Sequence, residues 1–234
     1  MIDKTVHDLA DALRGVADGA HVLVSGFGDS GTPHAMLQGL LEQGARELTL
    51  ITNNAGGMDR GIAALLRERR VRRLVCSFPR SAQGPSVFDD AYSRGEVELE
   101  LVPQGTLSER IRAAAAGIGG FFVRTGAGTL LAQGKETRVI GGKLHVYEEP
   151  LRCDIALVKA DQGDRWGNLT YRLAARNFGP VMAMAAKKTV ATVHEIDELG
   201  AMDPEAIVTP GIFVSRIVKI ECVATQAGGF RKAA

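Results

Sequence analysis

Apolar residues gather in short runs along the chain, and between the runs they recur at helical spacing. Val22-Leu23-Val24, Leu48-Thr49-Leu50-Ile51 and Leu74-Val75-Cys76 are brief apolar stretches bounded by turn residues, and they read as strands. Val6, Leu9, Ala10, Leu13 and Val16 share one helical face, which predicts a helix over residues 5–16 that stops at Asp18-Gly19. Met36, Leu37, Leu40 and Leu41 predict another helix, with Thr32 as N-cap, Pro33 as its first residue and Gly44 as its stop. Helices are also expected over residues 62–68, 87–92 and 106–116, the last opened by a Thr106-Leu107-Ser108-Glu109 capping box that makes Glu109 a structural cap. Val97 to Val102 alternates apolar and acidic residues, as in a strand with one wet face. Strands alternating with helices predict an α/β fold, an open and mostly parallel sheet flanked by helices.

Beyond residue 120 the texture changes. Thr137–Ile140 and Lys143–Tyr147 flank Gly141-Gly142 and predict an added β-hairpin region. Further strands are expected at Ile155–Lys159, Thr189–Val193 and Phe213–Ile220, with a helical stretch around Leu173–Asn177. No internal repeat and no long linker divides the chain, so residues 1–234 read as a single domain, with Gln226–Ala234 frayed.

Composition narrows the function classes. A formal net charge of +1 provides no global field for nucleic acid or a membrane surface. The uncharged run Ala113–Val123 holds three glycines and is too short to span a bilayer. The N-terminus is polar and lacks a signal-peptide core, and Cys76, Cys153 and Cys222 are far apart and odd in number. Both features fit a reducing cytoplasm. The five histidines show no metal-ligand spacing, so no metal site is expected.

The candidate chemistry lies between the first strand and the helix from Pro33. Gly26-x-Gly28-x-x-Gly31 is placed where glycines let backbone approach a ligand at a helix N-terminus. A dinucleotide fold would need an acidic residue at the end of the second strand, and Thr52, Asn53 and Asn54 stand there instead. Gly28-Asp29-Ser30-Gly31 also matches a serine-protease tetrapeptide, but that fold is all-β and no partner histidine is in context. Asn53-Asn54 reads equally as a turn or as a pair of uncharged donors at the carboxyl edge of the sheet. Arg67, Arg69, Arg70, Arg72 and Arg73 form a basic run that reads as helix-end and surface charge. His34 reads as a surface residue of a first helical turn.

The run Asp18-Gly19-Ala20-His21-Val22-Leu23-Val24-Ser25-Gly26-Phe27-Gly28-Asp29-Ser30-Gly31-Thr32-Pro33 resembles the signature of the α subunit of family I CoA-transferases, the 3-oxoacid and 3-oxoadipate type. Only Ser25 departs, replacing the first glycine of a Gly-Gly-Phe. The likeness continues in Thr52-Asn53-Asn54, Pro103-Gln104-Gly105-Thr106-Leu107, Thr125-Gly126-Ala127-Gly128-Thr129, Gly134-Lys135-Glu136 and Thr209-Pro210-Gly211-Ile212, and so covers nearly the whole chain. Arg80-Ser81-Ala82-Gln83 departs from a Gly-Glu-Asn common in relatives. The resemblance implies a fold shared with ribose-5-phosphate isomerase and a ping-pong exchange. In that exchange the β subunit provides a glutamate that attacks an acyl-CoA, holds CoA as a thioester and passes it to a second acid. The resemblance further implies a β-subunit partner, an α2β2 heterotetramer, acyl-CoA and small carboxylic acids as substrates, and no cofactor beyond CoA entering as substrate. This chain would carry no nucleophile. Its backbone at Ser25, Gly26, Phe27, Gly28 and Gly31, with Asn53, Asn54, Gln104 and Gly105, would bind substrate or stabilise an oxyanion. A sugar-phosphate isomerase or deaminase on the same fold is the alternative enzyme, and a non-catalytic acyl-CoA sensor the alternative outside catalysis.

Overall fold

A computed structural model describes residues 2–56, 59–80 and 84–221. The expectations for Cys222, for Ser81–Gln83 and for the frayed end lie outside the described residues. Strands and helices alternate through β1 (Thr5–Val6), α1 (Leu9–Ala12), β2 (His21–Val24), α2 (His34–Gln43), β3 (Leu48–Ile51), α3 (Ile62–Arg67), β4 (Val71–Cys76), α4 (Val87–Ser93), β5 (Glu98–Leu101) and α5 (Gln104–Ala115). β6 (Phe121–Val123), β7 (Thr137–Ile140) and β8 (Lys143–Glu148) then form a small antiparallel sheet in the order β6-β8-β7. The chain ends through β9 (Cys153–Lys159), β10 (Gln162–Asp164), α6 (Gly179–Ala185), β11 (Ala186–Val193), β12 (Glu195–Asp197) and β13 (Arg216–Lys219).

The main sheet has eight strands in the order β1-β13-β11-β9-β2-β3-β4-β5, and every adjacent pair is parallel. From β2 the chain steps outward through β3 and β4 to β5, then returns to lay β9 on the other side of β2. The winding reverses between β2 and β9. Ligands of open α/β sheets bind outside the carboxyl ends of the strands at such a reversal.

Side-chain alternation within each strand fills two separate layers. Val22, Val24, Leu48, Leu50, Leu74 and Cys76 pack with Met36, Leu37 and Leu40 of α2, Leu65 of α3 and Phe88 of α4. Leu23, Ile51, Val75, Ala156 and Val158 point the other way, onto Leu107 and Ile111 of α5 and Met182 of α6. Both faces are covered, which is the condition for an all-parallel sheet. Cys76 and Cys153 are free and buried, and burial pushes both thiols up to about 12.

The structure moves some expected boundaries. Thr5 and Val6 are strand, paired with Ile217 and Val218, and the first helix covers only Leu9–Ala12, with Asp11 N donating to Asp8 Oδ1 at 2.7 Å. The apolar spacing of Val6 satisfied both readings, and pairing with a distant strand decided between them. The next helix starts at His34 with Pro33 in the capping position, and the Thr32 hydroxyl turns back to the Gly28 carbonyl at 3.1 Å. Gly44 closes it at φ +95, as the sequence predicts. The 106–109 capping box does not form: α5 starts at Gln104 behind Pro103, Thr106 is buried in the first turn, and Glu109 pairs with Arg112 at 2.8 Å. Residues 211–213 form a 3-10 turn, so the last strand is only Arg216–Lys219. The hairpin at Gly141-Gly142 forms as expected.

On the face of the 97–102 strand expected to be wet, Glu98 is exposed and Glu100 is half-buried. Glu100 lies beside Val75 on the α5 side. Arg110 of α5 donates to it at 2.6 Å, and Arg73 reaches its other oxygen at 2.6 Å. Arg110 also donates to the Glu149 carbonyl at 2.7 Å and lies 3.7 Å from Glu148, which Lys135 reaches at 2.7 Å. This network joins the edge of the main sheet, α5 and the small antiparallel sheet. Burial pushes the Glu100 carboxyl up, but the Arg110 hydrogen bond and the charges of Arg110, Arg73 and Lys135 outweigh it and hold it below the usual range.

A carboxyl lowered in the folded state contributes stability above its unfolded value, about pH 4.3, and loses it as pH falls through the folded value. Glu100→Gln should therefore lower unfolding free energy by about 1–3 kcal/mol at pH 7. The gap to the parent protein should close below about pH 4. Urea denaturation across that range reads both effects.

Candidate active site

The carboxyl ends of β2, β3, β4, β5 and β9 present their loops on one edge of the sheet. After β2 the backbone makes a four-residue turn, with Phe27 N donating to Ser30 O at 2.9 Å and Ser30 N returning to Phe27 O at 3.1 Å. Gly26, Gly28 and Gly31 have φ of +125, +61 and +74. A Cβ on Gly26 would lie 2.2 Å from the Thr32 hydroxyl oxygen, and one on Gly31 would lie 2.4 Å from the Ala175 carbonyl oxygen. Nothing crowds Gly28 within 4 Å, so glycine is needed there for conformation alone.

Ser25 ties this turn to the point where the winding reverses. Its hydroxyl is buried, donates to Gly31 O at 2.8 Å and accepts from Lys159 N, at the end of β9, at 3.2 Å. The side chain replacing a family glycine is thus accommodated by two internal hydrogen bonds.

Asn53 and Asn54 leave β3 beside the turn. Gly28 N donates to Asn54 Oδ1 at 3.1 Å, and this donor fixes which way the Asn54 carboxamide faces. Gln104, at the start of α5, donates through Nε2 to Asn53 Oδ1 at 2.6 Å. The Asn53 carbonyl accepts from Ser77 N at 3.2 Å and Phe78 N at 3.0 Å, which fastens the loop after β4 to it. The two asparagines are therefore both turn formers and a bridge from the glycine turn to α5. Their oxygens are used inside the protein, and their NH2 groups make no hydrogen bond among the described residues. Gly105 lies in the first turn of α5 with open space where a Cβ would stand.

The structure brings Ser25, Gly26, Phe27, Gly28, Gly31, Asn53, Asn54 and Gln104 onto this one edge. It also shows that Phe27 N and Gly28 N are already bonded within the protein, so the turn offers fewer free amides than its glycines suggest. Phe27 itself is half exposed, with 53% of its surface open. Asp29, at the tip of the turn, contacts His34 Nε2 and lies 3.2 Å from Arg60. Burial pushes the Asp29 carboxyl up, but the His34 hydrogen bond and the charges of His34, Arg60 and Lys159 outweigh it and hold it below the usual range. His34, expected to be a surface residue, anchors the tip of the turn.

Sequence reading missed two groups of residues here. Ser77 and Thr106 carry buried hydroxyls with no partner among the described residues, beside Asn53 and Gln104. Residues 173–177 form the wall opposite the turn, where Asn177 Nδ2 donates to Ser30 O at 2.9 Å. The polar Asn177 ahead of Gly179-Pro180 was a weak local signal, but a contact across 147 positions leaves none. Among the described residues no His, Cys, Asp and Glu group could hold a metal ion, and no helix is long and apolar enough to cross a membrane. The basic run is spent on Asp59, Glu96, Glu100 and the Gly44 carbonyl through Arg67, Arg69, Arg73 and Arg70.

Fold and site define an α/β protein of the open parallel-sheet class, with uncharged donors gathered where the winding reverses. A profile described as coenzyme A transferase matches residues 6–220. The chain is 56% identical over 227 residues to the A subunit of the 3-oxoadipate CoA-transferase of Pseudomonas putida, covering 97% of this chain and 98% of that one. It is 41% identical over 215 residues to the A subunit of the probable succinyl-CoA:3-ketoacid coenzyme A transferase of Bacillus subtilis, covering 92% and 89%. The same fold appears in a thioester complex of an acyl-CoA transferase from E. coli O157:H7, with TM-score 0.82 at 23% identity over 97% of this chain. This chain spans about half of that solved chain, 49% of its length. The chain belongs to the coenzyme A transferase family, among the α subunits of family I.

Two substitutions separate packing from conformation. Gly26→Ala, which meets Thr32 at 2.2 Å, should lower the melting temperature more than Gly28→Ala, which meets nothing within 4 Å. The Gly28→Ala loss should be about 1–2 kcal/mol, from the left-handed backbone alone. Asn54→Ala removes the partner of Gly28 N and a free NH2 group, and should lower turnover of the assembled enzyme about tenfold to a thousandfold. Its thermal unfolding should change little. Unchanged turnover reduces Asn54 to a turn former.

Proposed function

We propose that this chain is the A subunit of a heteromeric enzyme that moves CoA from succinyl-CoA to a 3-oxoacid, with 3-oxoadipate as the foremost acceptor. The observation that carries this reading is the 56% identity, across 97% of the chain, to the corresponding part of a 3-oxoadipate CoA-transferase. The site agrees with the division of labour. Acyl exchange passes through tetrahedral oxyanions, which preorganised neutral donors stabilise without adding a competing charge. The NH2 groups of Asn53 and Asn54 are donors of that kind. In this reading the partner supplies the glutamate, CoA is held there as a thioester, and a second carboxylic acid collects it. CoA enters as a substrate and no further cofactor takes part. Covalent catalysis of this form divides one hard exchange into two easier ones.

The partner is expected to cover Phe27 and Phe78, which are 53% and 51% exposed beside the turn. An α2β2 assembly in the cytoplasm completes the proposal.

The purified chain alone should show no CoA exchange between succinyl-CoA and 3-oxoacids. Activity should appear when the B subunit is added, and a CoA adduct trapped during turnover should map by mass spectrometry to a glutamate of that partner. An adduct on any glutamate of this chain, or full activity without a partner, overturns the reading.

A further inference from the structure

Facing the glycine turn, residues Leu173–Arg176 form a 3-10 turn with no burial to justify its conformation. Leu173 has φ +50 and is 84% exposed. A left-handed leucine is strained, and an exposed one recovers none of that strain by burying surface. Strain of this kind persists at ligand clamps, where the surrounding structure enforces it. Here the enforcement is visible. Asn177 Nδ2 donates to Ala174 O at 2.8 Å and to Ser30 O at 2.9 Å, so it holds both turns at once. Gly31 approaches Ala175 so closely that only a glycine fits.

Between the two turns lies a cavity of about 510 Å³ lined by Phe27, Ser30, Leu173, Ala174, Arg176 and Asn177. Arg176 is its only charged lining residue, and it makes no hydrogen bond or ion pair with any described residue. The remaining walls are the Phe27 ring, Leu173 and Ala174, with Ser30 and Asn177 at the edge where the two turns are bonded. A cation without a counter-ion beside apolar walls suits an anion on a short hydrocarbon chain, and the guanidinium fork matches a carboxylate in shape. Phe27 borders this cavity, and its neighbour Gly28 is bonded to Asn54. One continuous turn therefore connects the cavity to the uncharged donors.

We infer that this cavity selects dicarboxylic acids: Arg176 takes the distal carboxylate, Phe27 and Leu173 cover the methylenes, and the reacting carboxyl is directed toward Asn53 and Asn54. The inference rests on the CoA-transferase reading above and assigns the part of the acid that does not react. Arg176 selects the substrate and takes no part in bond making.

The test uses this chain assembled with its B subunit, with succinyl-CoA as donor. The kcat/KM values for 3-oxoadipate and for acetoacetate, a 3-oxoacid without a second carboxylate, are compared. Arg176→Ala should lower the 3-oxoadipate to acetoacetate ratio about tenfold to a hundredfold, the worth of one charge-assisted contact. Arg176→Lys should restore part of it, keeping the charge and losing the fork, and Arg176→Glu should lower it below the alanine variant. An unchanged ratio in the alanine and glutamate variants overturns the inference and leaves the CoA-transferase reading standing. A loss equal for both acids, carried by the KM for succinyl-CoA, also overturns it, because Arg176 then serves the phosphates of CoA. Parent enzyme that transfers CoA to acetoacetate but never to 3-oxoadipate does the same. Parent enzyme that transfers CoA to neither acid defeats both readings.

Discussion

The hydroxyl of Ser25 holds the structure's working edge together. One parallel sheet winds outward in two directions from β2 and β9, and nothing in the ladder itself fixes the loops where those directions part. Ser25 bonds the glycine turn at Gly31 and the end of β9 at Lys159. The turn then holds Asn54 through Gly28, Asn53 holds Gln104 and the loop after β4, and Asn177 brings in the wall from the far end of the chain.

Charge is distributed with the same economy. Arg110, Glu100, Arg73, Glu148 and Lys135 form a dense ionic cluster, and it lies against the small antiparallel sheet, where it joins layers. Along the carboxyl edge the donors at Asn53, Asn54 and Gln104 are neutral. Fixed neutral dipoles can favour a developing negative charge without having been neutralised by a counter-ion beforehand. Asp29 is the acidic group at the tip of the turn, and His34 and Arg60 engage it from behind.

The legible part of this molecule was what local spacing dictates. The buried strands, the α2 stop at Gly44, the hairpin at Gly141-Gly142 and the glycine turn follow from period, turn chemistry and the intolerance of positive φ. The errors have separate causes. Val6 had helical spacing but paired with the distant Val218, and Thr106 had capping chemistry but Pro103, three residues upstream, started the helix earlier. Each outweighed a preference of a few tenths of a kcal/mol to about one. The site was read as a list of residues on one edge, and that placement holds. What each offers a ligand was not legible, because Ser25, Phe27 and Gly28 spend on Gly31, Lys159, Ser30 and Asn54 groups that the sequence leaves nominally free. The Leu173–Asn177 wall left almost no trace, since its meaning comes from Ser30 and Gly31.

The two buried thiols have a consequence for a chain whose family handles coenzyme A. Thioesters react readily with thiolates, and the thiolate rather than the thiol is the attacking form. Cys76 ends the strand next to the asparagine loop, yet its side chain points into the helical layer and burial raises its thiol to about 12, as it does that of Cys153. At neutral pH both sulfurs stay protonated and walled off. Neither of the two described cysteines therefore presents a thiolate to a thioester at neutral pH.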